Sequence, residues 1–294
     1  MIVVSHKLFS ATIASRRAAF SLIEVLIAVT LMSVIVLGLM AMFGETQRAF
    51  RTGINQVDIM EGGRSAMDLI AREVEQAQSS DITNYANFLV RQSVSVPFPY
   101  DLSQSLPGSG QLRSNVMQEV WFATREGQRW SGIGYSVYYT NWIGTLLRYE
   151  TNVSQIAFGG SPQIINAAFA ARPSKIIDNV VSFRVNVFDL LGRRITRTYN
   201  FDYPNFQLDG RLVDLVNIPV LAGDVVNCAF YSNAIPAYVE IELAVLDPKV
   251  AGRARTLGED SLNSQRLYLE KQAGSVQVFR RRVPIRNVDP SVYQ

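Results

Sequence analysis

Histidine and cysteine are nearly missing from this chain: its 294 residues hold one of each, His6 and Cys228. A Ser-His-Asp or Cys-His relay needs an imidazole held by the fold, and His6 lies at the extreme N-terminal end, so that chemistry has no base. The same shortage removes zinc sites built from several His and Cys ligands. One cysteine cannot form an intrachain disulfide, so the count says nothing of redox compartment. In the stretch Val225-Val226-Asn227-Cys228-Ala229-Phe230 it reads as a small buried hydrophobe rather than a reactive thiol. A glycine-rich phosphate loop is absent as well. Gly132-Ile133-Gly134 lacks a third glycine and a following helix, and reads as a turn. Asp178, Asp202, Asp209 and Asp214 could meet around a calcium ion, but no loop carries the spaced oxygen ligands such a site uses, and surface or turn acids are the default. No catalytic residue, metal site or cofactor is expected.

Net charge of one sign is also missing once the N-terminus is set aside. The whole chain has 28 Lys and Arg against 25 Asp and Glu. Lys7, Arg16 and Arg17 precede Phe20 with no carboxylate among them, so residues 20–294 carry 28 − 3 = 25 basic against 25 acidic groups. Long-range attraction to a polyanion is therefore not expected, and strong nucleic-acid binding with it.

What the chain does have is one long apolar run. From Phe20 to Phe43 the single charge is Glu24, and the other polar side chains are Ser21, Thr30 and Ser33. Twenty-four helical residues span roughly 36 Å, enough for a hydrocarbon core of about 30 Å. The run exceeds the 7–15 residues of a secretory signal, and Val36-Leu37-Gly38 is the only passable cleavage site near its end. A plain signal anchor would account for the hydrophobicity but not for Glu24. The basic residues before the span predict that residues 1–19 stay cytoplasmic and that the chain after Phe43 is sent outward. A carboxylate within a membrane helix costs roughly 2.5–3.5 kcal/mol on insertion scales, which makes Glu24 a functional candidate; the plainer reading is a Glu that snorkels to the interface.

The junction Arg16-Arg17-Ala18-Ala19-Phe20-Ser21-Leu22-Ile23-Glu24 resembles the class III signal of type IV prepilins. The resemblance implies cleavage by the prepilin peptidase between Ala19 and Phe20, N-methylation of Phe20, and Glu24 as the fifth mature residue and the carboxylate that sets register between subunits. Ala19 stands where that family usually has Gly. Cleavage would free a cationic amine on Phe20 as the partner of Glu24, in its own helix or a neighbour's. Implied partners are other pilins or pseudopilins, the prepilin peptidase, an inner-membrane assembly platform and the lipid bilayer. The implied location is a single pass of the inner membrane with a periplasmic domain, incorporated in a pilus or pseudopilus.

Beyond Phe43 the residues Phe50, Ile54, Val57, Met67, Ile70, Val74 and Ala77 recur at helical spacings, with charges on the other faces. This predicts an amphipathic continuation over residues 44–79, fading at Ser79-Ser80-Asp81, with a kink or break near Gly53 and Gly62-Gly63. Residues 80–294 change period. Strands are predicted over 116–124, 134–140, 145–150, 180–188, 195–201, 237–246 and 276–285, with a hairpin at Asp189-Leu190-Leu191-Gly192 and loops at 97–110 and 203–223. The expected fold class is α+β: a long N-terminal helix packed on an antiparallel sheet with insertions. The segments from Arg64 to Ala77, Gly134 to Tyr139 with Leu147 to Tyr149, Ile176 to Val185, Pro236 to Leu243 and Phe279 to Asn287 resemble J-type minor pseudopilins of type II secretion and W-type minor pilins, and are similar as well to cassette-encoded prepilin-like proteins of verrucomicrobia. That resemblance, and a length above that of typical major pilins, implies a structural subunit with a tip or priming role. The alternative is a membrane-anchored module for adhesion or DNA uptake; an enzyme is not expected.

Two clusters stand out in the later sequence. Trp121, Trp130, Trp142, Tyr135, Tyr138, Tyr139 and Tyr149 read as core and cross-strand packing rather than a ligand platform. In Arg280-Arg281-Arg282, alternation places Arg280 and Arg282 on one strand face, with Phe279 and Arg281 on the other. A solvated edge that resists aggregation is the plain account, and contact with acidic neighbours, phosphate or DNA the sharper one.

Overall fold

The computed structural model describes residues 21–80, 82–92, 102–106, 108, 111–127, 129–154, 172–195, 206–207 and 228–293. Its contacts divide the chain into two units, residues 1–53 and 54–294. Helix α1 (Leu22–Val74) begins in the first. Among the described residues it is the one helix long and apolar enough to cross a membrane. Every described side chain from Ser21 to Gly53 is exposed, Leu22, Met32, Val34 and Met40 among the most open. Among the described residues, nothing within that unit covers this apolar surface.

The second unit holds the core. Strands β1 (Ile82–Gln92), β4 (Gln118–Glu126), β5 (Arg129–Thr140), β6 (Ile143–Ser154), β7 (Ser174–Phe188), β8 (Phe206–Gln207), β9 (Cys228–Ser232), β10 (Tyr238–Leu246) and β11 (Val276–Pro284) form one antiparallel curled sheet in the order β11-β10-β7-β6-β5-β4-β1-β9-β8. A small pair, β2 (Ser103–Ser105) and β3 (Leu112–Ser114), stands apart from it. The C-terminal part of α1 lays Ile59, Ala66, Met67, Ile70, Ala71 and Val74 on the sheet, at spacings of three, four and seven. Phe88, Phe122, Tyr135, Phe183 and Ile241 meet them from the inner sheet face. The architecture is α+β and pilin-like, as expected.

Two helices that the sequence reading did not anticipate cover the opposite face: α2 (Pro248–Asp260) and α3 (Leu262–Glu270). Their Ala251, Ala254 and Leu269 pack with Trp142, Ile143, Val181, Ala244 and Leu246 in a second core. A strand flanked on both faces loses its alternation, which is why β10 ends in the unbroken apolar run Leu243-Ala244-Val245-Leu246. The start of α2 was nevertheless written locally. Asp247 accepts from the backbone of Lys249 and Val250, and Pro248 occupies the first turn, where a missing N–H costs nothing.

Three further expectations change. The helix runs unbroken through Gly53 and Gly62-Gly63. Gly63 is a contact residue rather than a breaker: a Cβ there would lie 2.2 Å from the Phe279 ring of β11. Gly132-Ile133-Gly134 belongs to β5 and is not a turn, and a Cβ on Gly134 would lie 2.0 Å from the Trp121 indole, which is 1% exposed. Helix α1 stops at Val74 rather than near Ser79, because Ala77 bridges Thr124 and the Gln78 N–H bonds the Ala123 carbonyl, drawing the chain into the sheet.

The strands expected at 134–140, 145–150, 237–246 and 276–285 lie at β5, β6, β10 and β11; those at 116–124 and 180–188 lie at β4 and β7 with shifted starts. Strands β1, β2, β3, β8 and β9 were not anticipated, and β2 and β8 lie within the two segments expected to be loops. Most of the strand expected at 195–201 falls outside the described residues, as do most of the two expected loops. The turn at Asp189–Gly192 is present: Gly192 turns at φ +76, Asp189 and Arg193 pair through their backbones, and Arg194 bridges Phe188, while the second strand of the expected hairpin lies almost wholly outside the described residues.

Candidate functional site

Ala19 and Phe20 lie outside the described residues, so the described site begins at Ser21. Ser21 starts α1: its carbonyl accepts from the N–H groups of Glu24 and Val25. The Glu24 carboxylate turns back and accepts from the Ser21 N–H at 3.0 Å. This is the return half of a capping box, in which a Glu at the third helical position satisfies the donor that the helix start leaves open. Ser-Leu-Ile-Glu is the pattern for it, a local signal the sequence reading did not use. The carboxylate is thus held at the N-terminal end of the helix, where the macrodipole also favours negative charge. The next polar side chains, Thr30 and Ser33, bond back to the Ile27 and Val29 carbonyls and leave the apolar surface without free donors there.

In the second unit, α1 is clamped to the sheet by charge. Glu73 accepts from Arg148 through Nη2 at 2.7 Å and Nε at 3.0 Å, and from the Tyr135 hydroxyl at 2.5 Å. Burial first, then the adjacent Glu73, pushes the Tyr135 hydroxyl far above its ordinary range, so it stays a donor. Arg286 reaches Glu75 at 2.8 Å, and Arg281 pairs with Asp68. The solvent side of α1 carries Ile54 and Val57, about three-fifths exposed, beside an open groove lined by Val57, Met60, Glu61, Arg64 and Asp68.

The arginine run alternates as the pattern demanded. Phe279 and Arg281 face α1, at Gly63 and Asp68. On the other face Arg280 holds Glu242 at 2.5 Å, while Arg282 lies over the Phe188 and Tyr238 rings at 4.4 and 4.9 Å. Arg113 also reaches Glu242, at 2.7 Å. Burial opposes the charge on Glu242, but the hydrogen bond from Arg280 and the charge of Arg113 hold it below the usual carboxylate range. The run occupies β11, an end strand of the sheet.

The aromatic residues do not assemble into one platform. Tyr135 and Tyr139 sit in the helix-facing core, Trp142 in the core under α2 and α3, and Trp121 with Tyr149 in a third small cluster. Trp130 is buried too, and Tyr138 alone of the group is widely open, at 71% exposed. Burial pushes the Cys228 thiol up to about 12, which keeps it protonated and unreactive at neutral pH. Asp178 is engaged by Lys175 at 2.5 Å and by the Thr145 hydroxyl at 2.8 Å; Asp202, Asp209 and Asp214 lie outside the described residues.

Residues 14–40 match the family model for the prokaryotic N-terminal methylation motif. The match covers the basic segment and the apolar start of α1 and leaves the sheet unit untouched. It supports a type IV pilin-like protein that assembles with pilin subunits and is handled by a prepilin peptidase, with the apolar helix as membrane anchor. No curated protein matches the chain.

Proposed function

We propose that this chain is a minor pilin or pseudopilin, a structural subunit of a type IV pilus or of a type II secretion pseudopilus. One observation carries the proposal: Glu24 is the only charge in an exposed apolar helix start and is already turned toward the helix N-terminus. Cleavage between Ala19 and Phe20 would create an ammonium group one residue before the N–H that Glu24 now holds. The carboxylate would then pair with that cation in its own chain or with the amine of a neighbour, fixing the axial register of two helices. Either pairing offsets the cost of carrying the charge in lipid. N-methylation of Phe20 keeps the amine cationic. The exposed Ile54–Asp68 side of α1 supplies further helix–helix contact outside the bilayer, and the sheet unit is carried on the periplasmic side. The chemistry required is packing and charge pairing, which suits a structural rather than an enzymatic role, and a low-abundance tip or priming position suits the added α2 and α3.

The test is Glu24→Ala beside Glu24→Asp in cells expressing the whole assembly system. Both variants insert in the membrane at the wild-type level, since the first removes a polar cost and the second keeps the charge. Glu24→Ala fails to co-purify with other pilins, and Glu24→Asp retains part of that association. Wild-type recovery of Glu24→Ala in sheared filaments or crosslinked complexes rules the register role out.

A further inference from the structure

A cleft of about 400 Å³ opens on the outer face of the sheet, between the β5–β6 hairpin and the end of α2. Its lining includes Tyr138, Thr140, Asn141, Arg255, Glu259 and Gln265. Along β5, Tyr135, Val137 and Tyr139 point into the helix-facing core, so Tyr138 and Thr140 point the other way, toward α2. Asn141 makes the hairpin turn in the left-handed region, at φ +63, which an Asn tolerates better than most residues. Arg255 is held in place by its hydrogen bond to Asn179 at 2.8 Å. The wall formed by Gln265 is tightly packed: this side chain is 1% exposed, and its Oε1 would lie 2.5 Å from a Cβ on Gly258.

Two features of this cleft select a ligand. Tyr138 leaves a large ring in solvent at the mouth of a concave site of mixed polar and apolar lining, where an apolar face can be covered. The rim offers donors and acceptors together: the Arg255 guanidinium, the Glu259 carboxylate, the Asn141 amide and the Thr140 hydroxyl. Its charges cancel, Arg255 against Glu259 within the cleft and Lys175 against Asp178 next to it. Neither a polyanion nor a cation gains from such a field. A pyranose ring has what fits: a C–H face for the tyrosine and hydroxyls that donate and accept around its edge. We propose that this cleft binds a neutral saccharide, with Tyr138 as the stacking platform and Glu259 and Arg255 as hydrogen-bonding groups for its hydroxyls. The proposal is independent of the assembly role of Glu24.

Saturation-transfer NMR on the full chain in a sugar-free detergent tests it, with methyl glycosides of glucose, galactose and N-acetylglucosamine and the matching disaccharides as probes. Transfer to at least one sugar is expected, strongest on the C–H protons of one ring face. Tyr138→Ala weakens the binding by about ten-fold and Tyr138→Phe by no more than about three-fold, the range an aromatic contact supplies. Glu259→Gln weakens it without moving the unfolding temperature, since the side chain is exposed. No transfer to any of the sugars, or transfer undiminished in a Tyr138→Ala/Glu259→Gln double variant whose circular dichroism is unchanged, overturns the proposal.

Discussion

From Leu22 to Gly53 the chain forms a helix with every described side chain open, whereas from Ile54 onward it buries two faces of a nine-stranded sheet beneath helices. Both stretches are rich in Leu, Val, Ile and Met, so composition alone does not separate them. The distribution of charge does. Between Leu22 and Phe43 the only ionic group is the self-capping Glu24, and the apolar residues circle the helix. On the later part of the helix and in the turn that ends it, the acids Asp68, Glu73 and Glu75 each meet an arginine, and from Ile59 the buried apolar residues fall on one stripe. An apolar helix circled by hydrophobes needs lipid or another protein to cover it; a striped one finds its cover within its own unit.

Shortening one side chain in each region separates the two most sharply. Trp121→Ala empties a fully buried site on the sheet and is expected to cost about 3–5 kcal/mol, read from urea unfolding of the full chain in detergent by circular dichroism. Leu31→Ala, in the exposed helix, should move the same transition by less than about 0.5 kcal/mol. Comparable losses from both would mean that the N-terminal helix is part of the folded core.

A smaller effect is expected where α1 meets β11. Gly63→Leu forces the Phe279 ring off the helix and should destabilise by about 1–3 kcal/mol. Adding Phe279→Ala should recover part of that loss, because the space the leucine needs is then free. No recovery in the double variant would show that Gly63 matters for its backbone and not for the contact.

The smallest expected effect concerns acid. Glu242 titrates below the ordinary carboxylate range when folded, so its contribution is complete above that range and disappears as pH falls through the depressed value. The wild-type unfolding midpoint should therefore drop more between about pH 5 and pH 3 than that of Glu242→Gln. Parallel acid limbs for the two proteins would remove Glu242 from the account.

Much of the fold was legible because it is written in periods. The helical spacing of Met67, Ile70 and Val74 and the alternation in Phe279-Arg280-Arg281-Arg282 each gave the correct face, whereas Phe50, Ile54 and Val57, read into the same stripe, are exposed. Errors came where one residue answers to a distant one. Gly63 and Gly134 look like a breaker and a turn until Phe279 and Trp121 lie over them, and no local rule contains those rings. Helices α2 and α3 were missed although Asp247-Pro248 announces the first, because their apolar residues are few and small: Ala251, Ala254 and Leu269 do the packing. At the candidate site, Glu24 stood out in the sequence because a charge in an apolar run is conspicuous. The Glu73–Arg148–Tyr135 cluster did not, since its members are 62 and 75 residues apart and each is ordinary in its own segment.

If processing makes this helix start and leaves an amine beside Glu24, N-terminal sequencing with intact mass of the membrane-extracted protein detects it. The expected product is a chain that begins at Phe20 with a methylated amine in cells that have prepilin peptidase, and an uncut chain in cells that lack it. A protein still starting at Met1 in peptidase-positive cells, or one cut near Gly38, would contradict it.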